Sequence, residues 1–153
     1  MKNKSLLYFV CFYSGFIILV LEVLGFRLFA PYFGYSVYVS GSLIGIVLTA
    51  LSAGYYIGGK LSDRFPNEKY VYMLMLLSGL YLAVIYLFYR LILSVLQKNG
   101  LVFGTIASAV IIFSFPMVLL SMVSPYLIRL LAVDSRLGSS SGTIFAVSTI
   151  GSI

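Results

Sequence analysis

The chain has 153 residues, of which 61% are hydrophobic and 9% charged. A soluble domain carries roughly 25% charged residues, so this composition excludes a water-covered globule and implies a polytopic membrane protein. The net charge of +6 comes with no basic block interleaved with aromatics. Nucleic acid is therefore excluded as a partner, and Lys and Arg are assigned to topology signals.

Long apolar runs predict helices, since barrel strands alternate in polarity over only about 10 residues. Helix 1 is predicted over about 5–29. Its start, "MKNKSLLYFVCFYSGFIILV", has the basic head of a signal peptide. The apolar stretch outruns the usual length of roughly 7–15 residues and no A-x-A site closes it, so it reads as a retained helix. "APYFGYS" makes a turn punctuated by Pro31 and Gly34. Helix 2 is predicted over about 37–59, followed by a polar loop, "KLSDRFPNEK", from Lys60 to Lys69. Helix 3 is predicted over about 70–96 and ends at "QKNG"; helix 4 follows over about 101–124. Pro116 should kink helix 4, and Pro125 should end its buried part or start an interfacial piece. A fifth run follows over about 142–153, with ten apolar-rich residues from Ile144 to Ile153. A crossing needs roughly 20, so the expectation is a truncated fifth helix, an interfacial stub, or a segment packed on another chain. The predicted fold is an all-α transmembrane bundle, a single domain over 1–153 with four full helices and the start of a fifth.

Loop charges predict a cytoplasmic N-terminus in the cell (inner or plasma) membrane. Lys2, Lys4, Lys60, Arg64, Lys69, Arg129 and Arg136 fall on inner segments. Lys98 falls on an outer loop, with Arg27 and Arg90 near outer helix ends, and cytoplasmic segments hold the basic excess. Tyr32, Tyr35, Tyr38, Tyr70, Tyr72, Tyr86 and Tyr89 fall near the predicted boundaries and read as an aromatic belt.

Cys11 is the only cysteine and there is no histidine. An intrachain disulfide is impossible, and the usual zinc and histidine-base constellations are absent. No phosphate-binding glycine loop and no pair of carboxylates on one face is present. The reading is a non-enzyme without cofactor or metal. On helix 2, Gly41 and Gly45 continue the four-residue spacing of Thr49 and Ala53, and Ala50, Gly54 and Gly58 share a second register. Such spacing keeps each set on one face, where small residues let a neighbouring helix approach.

Glu22 is the one acid inside a predicted membrane helix. A charged residue at helix centre costs roughly 2.5–3.5 kcal/mol on insertion scales, so Glu22 is the candidate cation or proton site. Arg27 is not its natural partner. Five residues at 3.6 per turn point the two about 140° apart, and Arg27 can snorkel to the interface. In "GGKLSDRFPNEK", Asp63 has two open readings. One is a loop network, with Asp63 accepting amides at a neighbouring helix N-terminus while Arg64 and Lys69 meet carboxylates or lipid phosphates; the other is an ordinary positive-inside loop.

The segment from Gly59 to Lys69, GxLxDRxxxxK, resembles the loop between helices 2 and 3 of major facilitator transporters. Pro66 and Asn67 replace a basic residue and the final glycine of that pattern. "LEVLGFRLFAPYFGYSVYVSGSLIGIVLTALSAGYYIGGKLSDR", "SMVSPYLIRL" and "GTIFAVSTIGSI" resemble the membrane domain of spermidine-synthase-like integral membrane proteins. Ser40, Ser121 and Thr143 depart from that pattern, which has tryptophan, glycine and arginine there. The resemblance implies a major-facilitator-like partial half, a polyamine connection, and a loop or gating role for Gly59, Asp63, Arg64 and Lys69. These 153 residues do not include the aminopropyltransferase domain of full-length members, so the resemblance carries none of that domain's chemistry to them.

Three functional expectations follow. The first is a transporter unit for a polyamine or other organic cation, using Glu22 and completed by a second copy or a companion chain. The second is a membrane anchor for a cytosolic polyamine-related enzyme, docked on the Lys60–Lys69 and Arg129–Arg136 segments. The third is a truncated remnant. "LEVLG" also resembles, more weakly, small multidrug resistance transporters, in which Glu22 would exchange protons for a lipophilic cation.

Overall fold

The computed structural model describes residues 4–132 and 137–152. Lys2, Arg136 and Ile153, on which parts of the charge and fifth-run readings rest, lie outside them. Among the described residues there are helices and no strands. Three long helices come first: α1 (Lys4–Phe33), α2 (Val37–Arg64) and α3 (Glu68–Leu96), the last closed by a 3-10 turn, Gln97–Asn99. The fourth rod has four pieces: α4 (Leu101–Ala109), a π-helical segment (Val110–Ser114), α5 (Phe115–Ser121) and α6 (Val123–Ala132). Helix α7 (Leu137–Gly151) follows. This is an all-α protein with four helices long and apolar enough to cross a membrane.

The helix ends follow local chemistry. Helix α1 passes the expected end near 29 and takes Pro31 into its last turn. Pro31 has no N–H to give the Arg27 carbonyl one turn back. The stop is Gly34, at φ +72°, whose N–H reaches the Ala30 carbonyl at 2.9 Å. That is a left-handed cap, which glycine adopts without strain. Ser36 then caps α2, its Oγ accepting the Val39 N–H at 3.3 Å.

The polar loop after helix 2 is shorter than expected. Lys60–Arg64 remain helical, so Gly59 does not end α2. The break comes at Phe65 (φ −134°, ψ 74°), because Pro66 drives the residue before it out of the α region. Asn67 restarts the chain, its Oδ1 accepting the Lys69 N–H at 3.1 Å. Three residues, 65–67, turn the corner.

The fourth rod is the centre of the bundle. Its best apolar window is 61% buried, against 17–33% for the other three. Pro116 disturbs it without breaking it. A π turn joins each carbonyl to the N–H five residues on, so Ile111 would look to Pro116, which has none. Tyr81 of α3 supplies the missing donor, its hydroxyl reaching the Ile111 carbonyl at 2.6 Å. The Tyr81 ring sits 4.7 Å from that of Phe115.

The expected end at Pro125 is corrected. Helix α6 runs on, and Tyr126, Leu127, Leu130 and Leu131 are buried. They join Leu7, Val10, Val71 and Ile144 in one core cluster, so the segment belongs to the protein interior. A second cluster at the other end holds Phe29, Leu43, Val47, Ile112, Phe113 and Met117.

The fifth run is longer than expected and packs on its own chain, against α1 and α6. It runs parallel to α1. The Cys11 thiol lies 3.5 Å from the Ile144 carbonyl, Gly15 faces Ser148, and Gly151 faces the Phe12 backbone. Ser152 Oγ donates within 3.2 Å of the Gly15 carbonyl.

Two predictions follow. A Cβ at Gly58 would lie 2.7 Å from Met122 Cα and 2.9 Å from Pro125 Cγ, whereas one at Gly45 meets nothing within 4 Å. Gly58→Leu should destabilise by roughly 1–3 kcal/mol through overpacking and Gly45→Ala should not, read by thermal unfolding in detergent. Tyr81→Phe strands the Ile111 carbonyl and should cost roughly 1–3 kcal/mol. In a Pro116→Ala background the cost should largely vanish, because residue 116 regains an N–H; a double-mutant cycle reads the coupling.

Candidate functional site

Glu22 lies on α1, about 27 Å along the helix from Lys4 at ~1.5 Å per residue. It shares its face with Ile18, Gly25, Phe26 and Phe29 by three- and four-residue spacing. One turn on, a Cβ at Gly25 would lie 3.0 Å from Leu43 and 3.1 Å from Phe113. The glycine lets α1 close onto α2 and the π segment, holding Glu22 beside an apolar junction. Glu22 is half-buried. Among the described residues, no hydrogen bond or ion pair reaches its carboxylate. Arg27 is exposed and does not pair with it.

Asp63 is drawn elsewhere. Arg129 of α6 meets it, Nε to Oδ1, at 3.1 Å, with side chains 47% and 73% exposed respectively. A pair so open to water contributes about 0–1 kcal/mol. It aligns the end of α2 with α6 more than it holds them. The stronger tie is Tyr126, whose hydroxyl donates to the Phe65 carbonyl at 2.5 Å. This bond clamps the unwound turn onto α6. The Tyr70 ring lies 5.7 Å from Phe65 and 6.3 Å from Tyr126. The Arg64 guanidinium lies over Phe65 at 5.5 Å, and the Lys60 ammonium over Tyr56 at 4.5 Å.

The remaining loop residues are less engaged. The Gly59 carbonyl accepts from Ser62 Oγ at 2.8 Å. The Lys69 backbone N–H is taken by the Asn67 cap, while its side chain is exposed. Asp63 therefore meets a side chain of the fourth rod and not the helix-end amides of one of its two sequence readings. Arg129 and Tyr126 were not foreseen as members of this cluster. The available signal was an acid and a base at one membrane level on different helices.

The small-residue faces of α2 divide. Ala50, Gly54 and Gly58 are buried, with Gly54 against Val118 and Ser121 and Gly58 against Met122. Gly41 and Gly45 are exposed and touch nothing that a Cβ would meet. They do not pack helices within the chain, because α5 and α6 approach the other face. No cluster of three metal-ligating side chains occurs among the described residues. Comparison with protein-family models, curated proteins and solved structures finds no match.

An unpaired carboxylate among hydrocarbon is a local cost, whereas a structural hydrogen-bond acceptor is a local gain. Glu22→Leu should leave thermal stability in detergent unchanged or raised, by up to the roughly 2.5–3.5 kcal/mol of the insertion penalty. A fall of several degrees would assign Glu22 a structural role.

Proposed function

We propose that this chain is a helical unit of a membrane transporter for an organic cation, with Glu22 as the cation or proton site. The observation that carries the reading is the half-buried Glu22 carboxylate with no partner among the described residues. Ionisable groups in membrane helices default to function because their insertion is costly. A cation or a proton would complete this one.

Other features support the same reading. The turn after α2 resembles the helix 2–3 loop of major facilitator transporters, and its Asp63 ties to the fourth rod through Arg129. Polyamines are the substrate class implied by the resemblance to spermidine-synthase-like membrane proteins. Four crossing helices and α7 cannot enclose an alternating path alone, so further helices, from a second copy, a companion chain or beyond these residues, complete the unit. Lys60, Arg64, Lys69 and Arg129 gather at one end of the bundle, which supports a cytoplasmic N-terminus in the inner or plasma membrane. The chain works by binding, without catalysis.

The test is uptake of labelled spermidine and of tetraphenylphosphonium by proteoliposomes. Wild type should accumulate one or both, and Glu22→Gln should cut the rate at least about tenfold, in line with loss of an essential charge. Equal rates in the two proteins would remove Glu22 from the mechanism. If wild type neither binds nor moves either cation, the chain acts as a membrane anchor instead.

A further inference from the structure

We propose that the end of the bundle away from the Phe65–Asn67 turn holds the headgroup of an anionic phospholipid between Arg27 and Arg90. One acyl chain would follow the groove between α1 and α3. The site is separate from Glu22 and does not depend on the transport reading.

The first observation is charge. Arg27 on α1 and Arg90 on α3 line one cleft of about 270 Å³, with Pro31, Tyr32 and Tyr89. Each arginine stands six residues before the end of its helix. The two helices rise in the same direction, so both guanidiniums sit at similar depth. No carboxylate lines the cleft. Arg27 has no hydrogen-bond or ion-pair partner among the described residues. Arg90 has only a neutral one, its Nε donating to the Tyr89 hydroxyl at 3.1 Å. That bond leaves the terminal nitrogens of Arg90 free, with the guanidinium carbon 5.8 Å from the Tyr89 ring centroid. Two cations facing one cleft without an acid repel each other, and an anion between them turns that repulsion into two attractions. The planar forks of arginine suit phosphate oxygens in particular.

The second observation is shape. An apolar cavity of about 220 Å³ adjoins the cleft and shares Leu28 and Tyr89 with it. It is lined by Leu21 and Leu24 of α1, Leu82 and Ile85 of α3, and Phe113 of the π segment. From Leu28 to Leu21 the groove descends about 10 Å along α1, at ~1.5 Å per residue. A soluble anion has no use for a hydrocarbon groove opening from its binding site. A phosphate ester bearing acyl chains fits both parts: charge at the interface, chain below it. Arginines near a membrane surface attract anionic headgroups in the same way.

The test uses the full chain in detergent, titrated with phosphatidylglycerol, phosphatidylcholine or inorganic phosphate and read by native mass spectrometry. Phosphatidylglycerol should bind at least about tenfold tighter than phosphatidylcholine, a difference of about 1.4 kcal/mol. Arg27→Gln/Arg90→Gln should abolish that preference, and Arg27→Lys/Arg90→Lys should keep part of it. Leu24→Trp, at an exposed groove position, should weaken phosphatidylglycerol and leave inorganic phosphate unaffected. Equal lipid preference in wild type and the double Gln variant would overturn the site. Tight inorganic phosphate binding with no effect of Leu24→Trp on the lipid would overturn its lipid character in favour of a free-anion site.

Discussion

In a bilayer core there is no water to receive a stranded carbonyl or N–H, so each backbone polar group must be satisfied within the protein. This chain places Pro31, Pro116 and Pro125 within helices, and its architecture shows how it meets the constraint. Pro31 falls in a last turn that Gly34 then closes. The most exacting case is Pro116, in the middle of the most buried rod. A wide turn spreads the disturbance over five residues and presents the Ile111 carbonyl to α3, where Tyr81 meets it. One side-chain hydroxyl thereby ties α3 to the central rod at the point where that rod's own backbone bonding is interrupted.

Close approach is the second theme. Lipid tails are as apolar as leucine, so hydrophobicity gives no reason for two helices to prefer each other. Small residues provide it. Gly54 and Gly58 let α2 lie against α5 and α6, and Gly15 and Gly151 let α1 lie against α7. The contacts at Gly15 and Gly151 are backbone against side chain or backbone, and the Ser152 hydroxyl supplies a polar link across them to the Gly15 carbonyl. The result is a central rod wrapped by α1, α2 and α3, with α7 closing the side that α1 and α6 share.

Much of this was legible in the sequence, for identifiable reasons. The four crossing helices follow from hydropathy, and the divergence of Glu22 from Arg27 follows from 3.6 residues per turn. Boundaries were less legible. Pro31 and Pro125 read as stops, yet tertiary packing overrode both. Tyr126 and Leu127 had a core to enter, and no local rule reveals that core. Gly58 read correctly as a packing surface, but Gly59 read as a helix end, and the true breaker is Pro66 acting on Phe65. The pairing of Asp63 with Arg129 joins residues far apart in sequence. Spacing cannot disclose it, because it depends on how two rods meet. For the same reason Gly41 and Gly54 looked alike in sequence, although only one faces a neighbour.

The wide turn before Pro116 can also be seen as a surplus residue. A π turn holds one more residue than an α turn covering the same height. The fourth rod is thus an α-helix with a single insertion, and the halves on either side are out of phase by about 100°, the angle of one residue. That offset lets Ala109 above it, Phe113 within it, and Met117 and Tyr126 below it all turn inward. Because Pro116 denies the Ile111 carbonyl a helical donor and Tyr81 supplies one, the insertion is pinned at this height and sets the angle at which the two halves of the rod meet their neighbours.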